Sequence, residues 1–351
     1  MSFSAQHVVP APRTDVWAWH TRPGALTRLN APFAFMTPMQ QAQSLGDGTS
    51  ILRLPGGLQW KAQHVLSRYQ EGYSFSDECV NSPLRQLTQW RHTHTFAEDP
   101  AGTRVTDEVD TRVPSAALKS VFAYRQHQLI EDFAFFKRLR DAGINTQPLT
   151  IAMTGSRGSV GTALTAQLRT AGHTVIQLVR GKAGSGQRHW NTNLPDPHLL
   201  DGVDVLVHLA GEPIFGRFNE EHKAAIRDSR VGPTRSLARI AGESPSVKAM
   251  VCASAIGFYG ANRGEEVLTE DSEPGEGFLA DVVRQWEDAC EPARAAGTRV
   301  VNIRTGIAMS GGSGLLPLLR ALFSTGLGGP FGDGKFWFSW VAIDDLTDAY
   351  F

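Results

Sequence analysis

The sequence predicts two domains of different class: an α+β domain, then an α/β domain with a doubly wound parallel sheet. Residues 41–113 hold recurring strand-like segments separated by glycine and proline turns, and one long amphipathic helix comes after them. From residue 149 onward, short apolar strands alternate with helical segments, and that order produces a parallel sheet. A chain of 351 residues is long enough for two such domains.

The first domain is predicted over residues 1–143, and a short polar linker follows it at 143–148. Its elements are expected in the order strand, two short helices, about six strands, and a long helix over residues 116–140. The strands expected in its central part are residues 41–45, 50–54, 59–69, 72–78, 85–96 and 103–111.

This order of elements resembles the START-like (SRPBCC) superfamily of ligand-binding proteins. The features that carry the resemblance, besides the order, are Trp17-x-Trp19, the segment 89–96, and the closing helix with Phe122-x-x-Arg125. The resemblance implies a helix-grip fold, in which a curved antiparallel sheet grips the C-terminal helix and encloses a cavity for an apolar ligand. The aromatic residues that would line this cavity, or would simply fill the core instead, are Trp60, Tyr73, Phe75 and Trp90.

His92 and His94 alternate with threonines, so they share one face of a predicted strand. Two such histidines could bind a metal ion, but the sequence offers no third ligand beside them. We therefore predict no metal site, and we expect both side chains to be half exposed.

The second domain, predicted over residues 148–351, opens on the pattern that dominates the functional prediction. Residues 149–153 form a short uncharged apolar strand, and Gly155, Gly158 and Gly161 follow it with the spacing G-x-x-G-x-x-G. Residues 162–170 then carry apolar side chains at helical spacing. This strand–turn–helix order predicts a Rossmann-type dinucleotide site, with phosphates at the N-terminus of the helix.

Each glycine has a physical reason to be there. Gly155 permits a turn with positive φ, Gly158 lets the backbone approach a pyrophosphate, and Gly161 lets the helix pack close to the strand. Arg157 lies between the glycines, and Arg180 ends the next strand where an NAD site usually has an acidic residue. Two guanidiniums suit a 2′-phosphate, so we predict NADP(H) as the cofactor, unless both are merely solvated surface arginines.

Composition excludes several classes of partner. The formal net charge is −1 and the pI about 6.8, so nothing indicates nucleic-acid binding. No run of 18 apolar residues occurs, so no membrane span is expected. The three cysteines, Cys79, Cys252 and Cys290, have neither disulfide nor zinc spacing, and a reducing cytoplasm fits them.

From residue 151 onward the chain resembles the extended short-chain dehydrogenase/reductase superfamily. The segments that carry this resemblance are Thr154-Gly155-x-x-Gly158-x-x-Gly161, Leu209-Ala210-Gly211 and Ser254-Ala255-Ile256-Gly257-Phe258-Tyr259-Gly260. More narrowly it resembles an atypical subfamily labelled nucleoside-diphosphate-sugar epimerases, or SulA-like epimerase-family proteins. The segments behind that finer resemblance include Ser229-Arg230-Val231, Phe278-Leu279-Ala280, Trp286-Glu287, Arg304-Thr305-Gly306 and Ser339-Trp340. In this subfamily a fusion to a START-like domain also occurs.

The resemblance implies a set of cofactor-binding residues. They are Gly155, Ser156, Arg157, Gly158, Val160, Gly161, Arg180, Leu209, Ala210, Gly211 and Ser254. It also implies a small-molecule substrate, which the family labels suggest is a nucleotide sugar, and hydride transfer between that substrate and the nicotinamide.

The superfamily's acid–base pair, Tyr-x-x-x-Lys, is missing from this chain. Counted back from Glu287, its two positions fall at Leu279 and Val283, and neither side chain can titrate. Ser254 and Tyr259 remain as the candidate catalytic residues. One interpretation is therefore an NADP(H)-binding, epimerase-like oxidoreductase, and the alternative is a catalytically degenerate NADPH sensor with an apolar-ligand-binding first domain.

The end of the chain also departs from the resemblance. Asp344 and Asp345 look like the start of a helix that would stop almost at once, at Phe351. The superfamily continues with a stretch that covers the substrate, and we expect this chain to lack that part.

Overall fold

The structure is a computed structural model, and it describes residues 2–144 and 147–351. The chain divides into two compact units, and along the linker the division falls between Gln147 and Pro148. Asn145 and Thr146, which belong to the predicted linker, lie outside the described residues.

The first unit is rich in sheet. Within residues 2–144, its strands are β1 (Ser2–Val9), β2 (Thr37–Gln40), β3 (Thr49–Arg53), β4 (Gln59–His64), β5 (Ser74–Cys79), β6 (Arg91–Asp99) and β7 (Gly102–Asp110). Its helices are α1 (Arg13–Thr21), α2 (Ala25–Leu29), α3 (Leu84–Thr88) and α4 (Ser115–Asp141). The predicted order of elements is therefore found, with α3 added.

The strands form one antiparallel sheet in the order β1-β7-β6-β5-β4-β3-β2. Burial alternates along most of β6 and β7, so one face of the sheet there is buried and the other is not. The buried face packs against α4, where Phe122 and Leu129 join the core with Val105 and Val109. This arrangement places the inward residues of β5, β6 and β7 side by side.

The predicted strand 41–45 is wrong, since none of these residues lies in a strand, and the predicted strands 59–69 and 85–96 are wrong in part. β2 ends at Gln40, and the Gln41 side chain instead accepts the backbone N–H groups of Gly24 and Leu26 at the start of α2. Residues 85–88 belong to the helix α3, and residues 66–68 form a short 3₁₀ turn after β4.

The second unit alternates strands and helices. Its strands are β8 (Thr150–Thr154), β9 (Thr174–Val179), β10 (Gln187–His189), β11 (Val205–His208), β12 (Ala249–Ala255), β13 (Arg299–Thr305), β14 (Ile307–Met309) and β15 (Trp340–Ala342). Its helices are α5 (Ser159–Ala171), α6 (Glu220–Asp228), α7 (Val231–Glu243), α8 (Phe278–Asp288), α9 (Glu291–Ala295), α10 (Leu315–Ser324) and α11 (Ile343–Tyr350).

The main sheet is parallel, in the order β10-β9-β8-β11-β12-β13. The chain moves outward from β8 in one direction, and then returns to add β11, β12 and β13 on the other side. The strand order therefore reverses between β8 and β11, and such sheets bind ligands at the carboxyl ends of the strands beside this switch point. The predicted Rossmann-type architecture of this unit is confirmed.

Two predicted helices of this unit are divided. The helix predicted over 219–242 breaks at Ser229 and Arg230 rather than at Pro233, because proline is tolerated in the first turn of a helix and Pro233 lies in the first turn of α7. The helix predicted over 279–296 is α8 followed by the short α9.

No helix in the described parts of the chain combines the length and apolar character that crossing a membrane requires. The cysteines Cys79, Cys252 and Cys290 are all buried free thiols.

Candidate functional site

The glycine turn after β8 has the geometry that a phosphate cradle needs. Gly155 has φ of 68°, and a Cβ there would lie 2.7 Å from the carbonyl carbon of Leu209. A Cβ on Gly161 would lie 2.3 Å from the carbonyl oxygen of Gly155, so only glycine lets α5 start this close to the strand. A Cβ on Gly158 would meet only the Gly155 oxygen, at 3.3 Å, and its remaining surroundings are open.

A cleft of about 580 Å³ opens beside this turn, at the carboxyl ends of β8, β9 and β11. Eight of the predicted cofactor residues line it: Gly155, Ser156, Arg157, Gly158, Arg180, Leu209, Ala210 and Gly211. Val160, Gly161 and Ser254 do not line it. Val160 and Gly161 belong to the first turn of α5, and Ser254 lies at the end of β12.

The cleft also has walls that the sequence did not reveal. Trp190, Thr192 and Asn193 follow β10, Asp228 is the last residue of α6, and Ser229 follows it before α7 begins. These residues come from loops whose placement depends on the tertiary fold, so no local pattern could have identified them.

Arg157 and Arg180 are exposed and both line the cleft. In residues 2–144 and 147–351, no carboxylate forms an ion pair with either guanidinium. Both guanidiniums are therefore available to a phosphate, and the carboxylates of Glu212 and Asp228 line other parts of the same cleft.

A buried hydrogen-bond network supports the floor of the cleft. Thr154 Oγ1 accepts the backbone N–H groups of Leu209 and Ala210, at 3.1 and 3.2 Å. Both lone pairs of this hydroxyl are then used, so its proton is donated to Nδ1 of His208, 2.7 Å away. His208 Nε2 carries the ring proton and donates it to Thr234 Oγ1 at 2.9 Å.

Thr234 also accepts the indole N–H of Trp286, at 3.0 Å, so the network reaches α8. His208 is fully buried, and burial lowers its pKa to about 4, with the nearby Arg230 charge acting in the same direction. A proton on Nδ1 would face a hydroxyl whose lone pairs are already occupied. The imidazole is therefore neutral and serves to hold β8, β11, α7 and α8 in place.

A second network lies at the end of β12, around Ser254. Ser254 Oγ donates to Glu287 Oε1 at 2.5 Å. Arg304, which pairs with Ser254 across β12 and β13, donates from Nε and Nη2 to the two oxygens of Glu287, at 2.9 and 2.8 Å. This two-point bond to the carboxylate raises the pKa of Arg304 further above its usual range. Arg304 therefore forms a structural ion pair with Glu287.

Tyr259 is buried beside this group, and its hydroxyl oxygen accepts a hydrogen bond from Arg304 Nη1 at 3.1 Å. The guanidinium carbon lies 3.5 Å from the ring centroid of Phe258 and 5.2 Å from that of Tyr259. Tyr259 thus packs against Arg304 at the edge of the Ser254 network, and neither it nor Ser254 lines the cleft wall.

Leu279 and Val283 lie where the resemblance places the missing acid–base pair. A Cβ on Gly257 would be 3.7 Å from the Cβ of Leu279 and from Cγ2 of Val283, so both side chains face the strand end that carries Ser254. Glu287 is one helical turn beyond Val283 on the same face of α8. Sequence reasoning did not assign it a role, although the four-residue spacing was visible.

The first unit holds a separate cavity of about 420 Å³ between its sheet and helices. Trp60, Phe75 and Trp90 line it, as predicted for these aromatics. Tyr73 does not, because it is exposed and its ring stacks on Arg13, 3.8 Å from the guanidinium carbon.

His92 and His94 are buried and face this cavity, which corrects the prediction that they are half exposed. His92 Nε2 lies 2.8 Å and His94 Nδ1 3.0 Å from Oδ1 of Asp107, on the neighbouring strand. The alternation of β6 identified their shared face, but the sequence could not say that this face was the inner one.

Fold and site together define a class of protein. A parallel sheet with a glycine turn after its first strand, and with a cleft where the strand order reverses, is typical of dinucleotide-binding proteins. The chain belongs to the NAD dependent epimerase/dehydratase family, whose sequence profile matches residues 151–351. The chain accordingly binds a nicotinamide cofactor, as predicted.

Three relatives illustrate the similarity. The structure described as a nucleoside-diphosphate sugar epimerase from Corynebacterium glutamicum is 53% identical, with a TM-score of 0.91 over 99% of this chain and 74% of that chain. Epimerase family protein MT2273 of Mycobacterium tuberculosis is 42% identical over 203 residues, which are 57% of this chain and 67% of that protein. The human epimerase family protein SDR39U1, solved with NADPH, is 32% identical over 57% of this chain and 68% of that chain, with a TM-score of 0.51.

Proposed function

We propose that the chain is an NADP(H)-dependent, epimerase-like oxidoreductase, with a nucleotide sugar as its substrate class. The observation that carries the proposal is the proximity of two features on one sheet edge. The cofactor cleft lies at the ends of β8, β9 and β11, and the Ser254–Glu287 hydrogen bond lies at the end of the next strand, β12. The relative described as a nucleoside-diphosphate sugar epimerase supports the substrate class.

The cleft fits a dinucleotide. Gly158 leaves open the space beside its Cα, and α5 begins at Ser159, directly after it. The N-terminus of this helix offers backbone N–H groups and positive potential to a pyrophosphate. A nicotinamide cofactor bound there supplies the chemistry of accepting or returning a hydride at a substrate carbon.

The residues around Ser254 can move the accompanying proton. Because Ser254 donates its own proton to Glu287, its oxygen is able to accept one from a substrate hydroxyl. On oxidation of a carbinol, its hydroxyl proton passes to Ser254 Oγ and the serine proton passes to the Glu287 carboxylate. The carbinol hydrogen leaves with its electron pair as hydride. Arg304 holds the carboxylate in place from the other side. Glu287 thus takes the proton-accepting role that tyrosine has in the superfamily.

The proton path is tested by Glu287→Gln, with Asp288→Asn as the matched control. Asp288 is the next residue of α8, is exposed, and carries a carboxylate outside the network. We expect Glu287→Gln to reduce turnover by about 10²–10⁴, the usual worth of acid–base catalysis, and Asp288→Asn to leave it unchanged. Turnover would be followed by reduced-nicotinamide absorbance against a panel of sugar nucleotides, aldehydes and ketones. Equal rates for both variants would contradict the path.

The preference for NADP(H) is tested separately, by calorimetric titration with NADPH and NADH. Arg180→Ala should weaken the binding free energy of NADPH by roughly 1.5–3 kcal/mol, because one charge-assisted hydrogen bond to the phosphate is lost. The binding free energy of NADH, which lacks that phosphate, should change little. Lys182→Ala is the control, since it removes a nearby exposed cation that does not line the cleft. Equal affinities of the wild type for both cofactors would refute the assignment.

The alternative of a catalytically degenerate sensor is not favoured, because the family match and the Ser254–Glu287 path both support an enzyme.

For the first unit we propose the START-like class and an apolar ligand. The supporting observations are the sheet, the long closing helix α4 and the cavity lined mostly by apolar side chains, Leu29, Leu52 and Phe122 among them. Binding of a fluorescent naphthalene sulfonate, lost on filling the cavity with Ala62→Trp, would support this; binding that survives the filling would not.

A further inference from the structure

The inner face of the first unit's sheet carries a compact group of two imidazoles and two carboxylates. Asp77 is on β5, His92 and His94 are on β6, and Asp107 is on β7. The strand register places Asp77 opposite His92, and Asp107 opposite His94. All four side chains are turned inward, and the two histidines and Asp107 are at most 5% exposed.

Asp107 fixes which nitrogens carry protons. Its Oδ1 lies 2.8 Å from His92 Nε2 and 3.0 Å from His94 Nδ1, and a carboxylate can only accept. Each ring therefore donates from the nitrogen beside Asp107. In the neutral rings, the lone pairs are then on His92 Nδ1 and His94 Nε2. A carboxylate that orients histidines in this way is the usual support of a metal-bound imidazole.

The two remaining nitrogens converge on one carboxylate oxygen. Asp77 Oδ2 lies 3.6 Å from His92 Nδ1 and 3.9 Å from His94 Nε2. These separations are too long for hydrogen bonds. They are close to the roughly 3.4 Å that separates two ligand atoms of a tetrahedral ion with bonds of about 2.1 Å. The other oxygen of Asp77 is held by the indole N–H of Trp90, at 3.3 Å.

We propose that Asp77, His92 and His94 bind a divalent first-row transition metal ion, with Zn²⁺ as the simplest occupant. Across the described residues, 2–144 and 147–351, this is the one group of three or more His, Cys, Asp or Glu side chains whose ligand atoms all lie within 4.8 Å of one another. Two imidazoles and one carboxylate are a ligand set that such ions bind.

The charge of the group supports a cation. Asp77 brings a carboxylate into a cavity lined mostly by apolar side chains, and the buried Asp107 places a second one against the two histidine rings, 4.0 Å from the Arg125 guanidinium. Buried charges are costly unless they are paired or coordinate a metal. All three proposed ligands line the cavity of about 420 Å³, so the remaining coordination positions of the ion would face that space. The ion would then act there as a Lewis acid toward a donor atom of a ligand in the cavity.

The test uses the full chain, freed of metal with a chelator and titrated with Co²⁺, whose visible absorption reports its coordination. We expect one saturable site, from which Zn²⁺ displaces Co²⁺. Asp77→Asn and His94→Gln should each weaken Co²⁺ binding at least about tenfold. His64→Gln is the matched control. It lines the same cavity, but its ring is bonded to the carbonyl of Leu45, and it should bind like the wild type.

A fourth variant, Asp107→Asn, separates loss of metal support from loss of a ligand. Asp107→Asn leaves all three ligands in place, and removing such an orienting carboxylate typically costs 10–100-fold in metal affinity. Circular dichroism would confirm that each variant keeps its fold. Absence of a saturable Co²⁺ site in the wild type would overturn the proposal, as would unchanged binding in folded Asp77→Asn and His94→Gln. Neither outcome bears on cofactor binding in the second unit, which calorimetry measures independently.

Discussion

The neutral, buried His208 makes the stability of the second unit depend on pH. Burial lowers its pKa from 6.5 to about 4 in the folded chain, while the unfolded chain keeps the ordinary value. Between these values the unfolded state binds more protons, so stability is present above pH 6.5 and is lost as the pH falls toward 4. At about 1.4 kcal/mol per pKa unit, the free energy of unfolding falls by about 3 kcal/mol in total, of which about 2 kcal/mol is lost by about pH 5.

The assay is urea unfolding, followed by circular dichroism at a series of pH values, for the wild type and for His208→Gln. The glutamine keeps an N–H for Thr234 but cannot titrate. We expect it to be less stable at neutral pH, and to show a shallower fall in stability below pH 6.5. His20, buried in the first unit with its pKa also lowered to about 4, contributes its own slope, and that slope remains in the variant.

His198→Gln is the matched control, because His198 is exposed and lies outside the network. Its stability should follow the wild-type curve. If the wild type and His208→Gln lose stability in parallel between pH 6.5 and 4, then His208 is not buried neutral and the reasoning fails.

Three further predictions concern the cradle, its support and the domain boundary. Gly161→Ala should abolish NADPH binding in calorimetry, because the alanine Cβ would lie 2.3 Å from the carbonyl oxygen of Gly155. Gly232→Ala is the control and should keep NADPH binding, because the space around Gly232 is open. Thr154→Val leaves two backbone N–H groups without their acceptor, so urea unfolding should show a loss of about 1–3 kcal/mol for each that stays buried. Residues 1–147, expressed alone, should unfold in a cooperative thermal transition, and a molten product would contradict an independent domain.

The cofactor side of the second unit could be predicted because its determinants are local. Gly155, Gly158 and Gly161 are close in sequence, and their spacing between an apolar strand and a helix has one physical explanation. Arg157 and Arg180 were found for the same reason, since each sits at a fixed offset from that turn. These residues could be predicted because a short stretch of chain determines their relative positions.

The parts that were missed depend on residues distant in sequence. Glu287 gains its role only through Ser254 and Arg304, which lie on two other elements of the fold. In the first unit, Asp77 meets His92 and His94 only when β5 pairs with β6 in one register. Strand pairing cannot be read from a single segment, so the sequence alone could not place Asp77 beside the two histidines. The error at Gln41 has a similar origin, because its capping of α2 is a tertiary contact.

The hydrogen bond from Trp286 to Thr234 has a thermodynamic consequence. Trp286 and Glu287 are neighbours on α8, and Thr234 leads through His208 to Thr154, which holds the Leu209 end of the cleft. The helix that carries the proposed proton acceptor is thus attached to the strands beside the proposed cofactor cleft. If substrate binding shifts α8, it changes cofactor affinity, and linkage then requires the cofactor to change substrate affinity by the same factor.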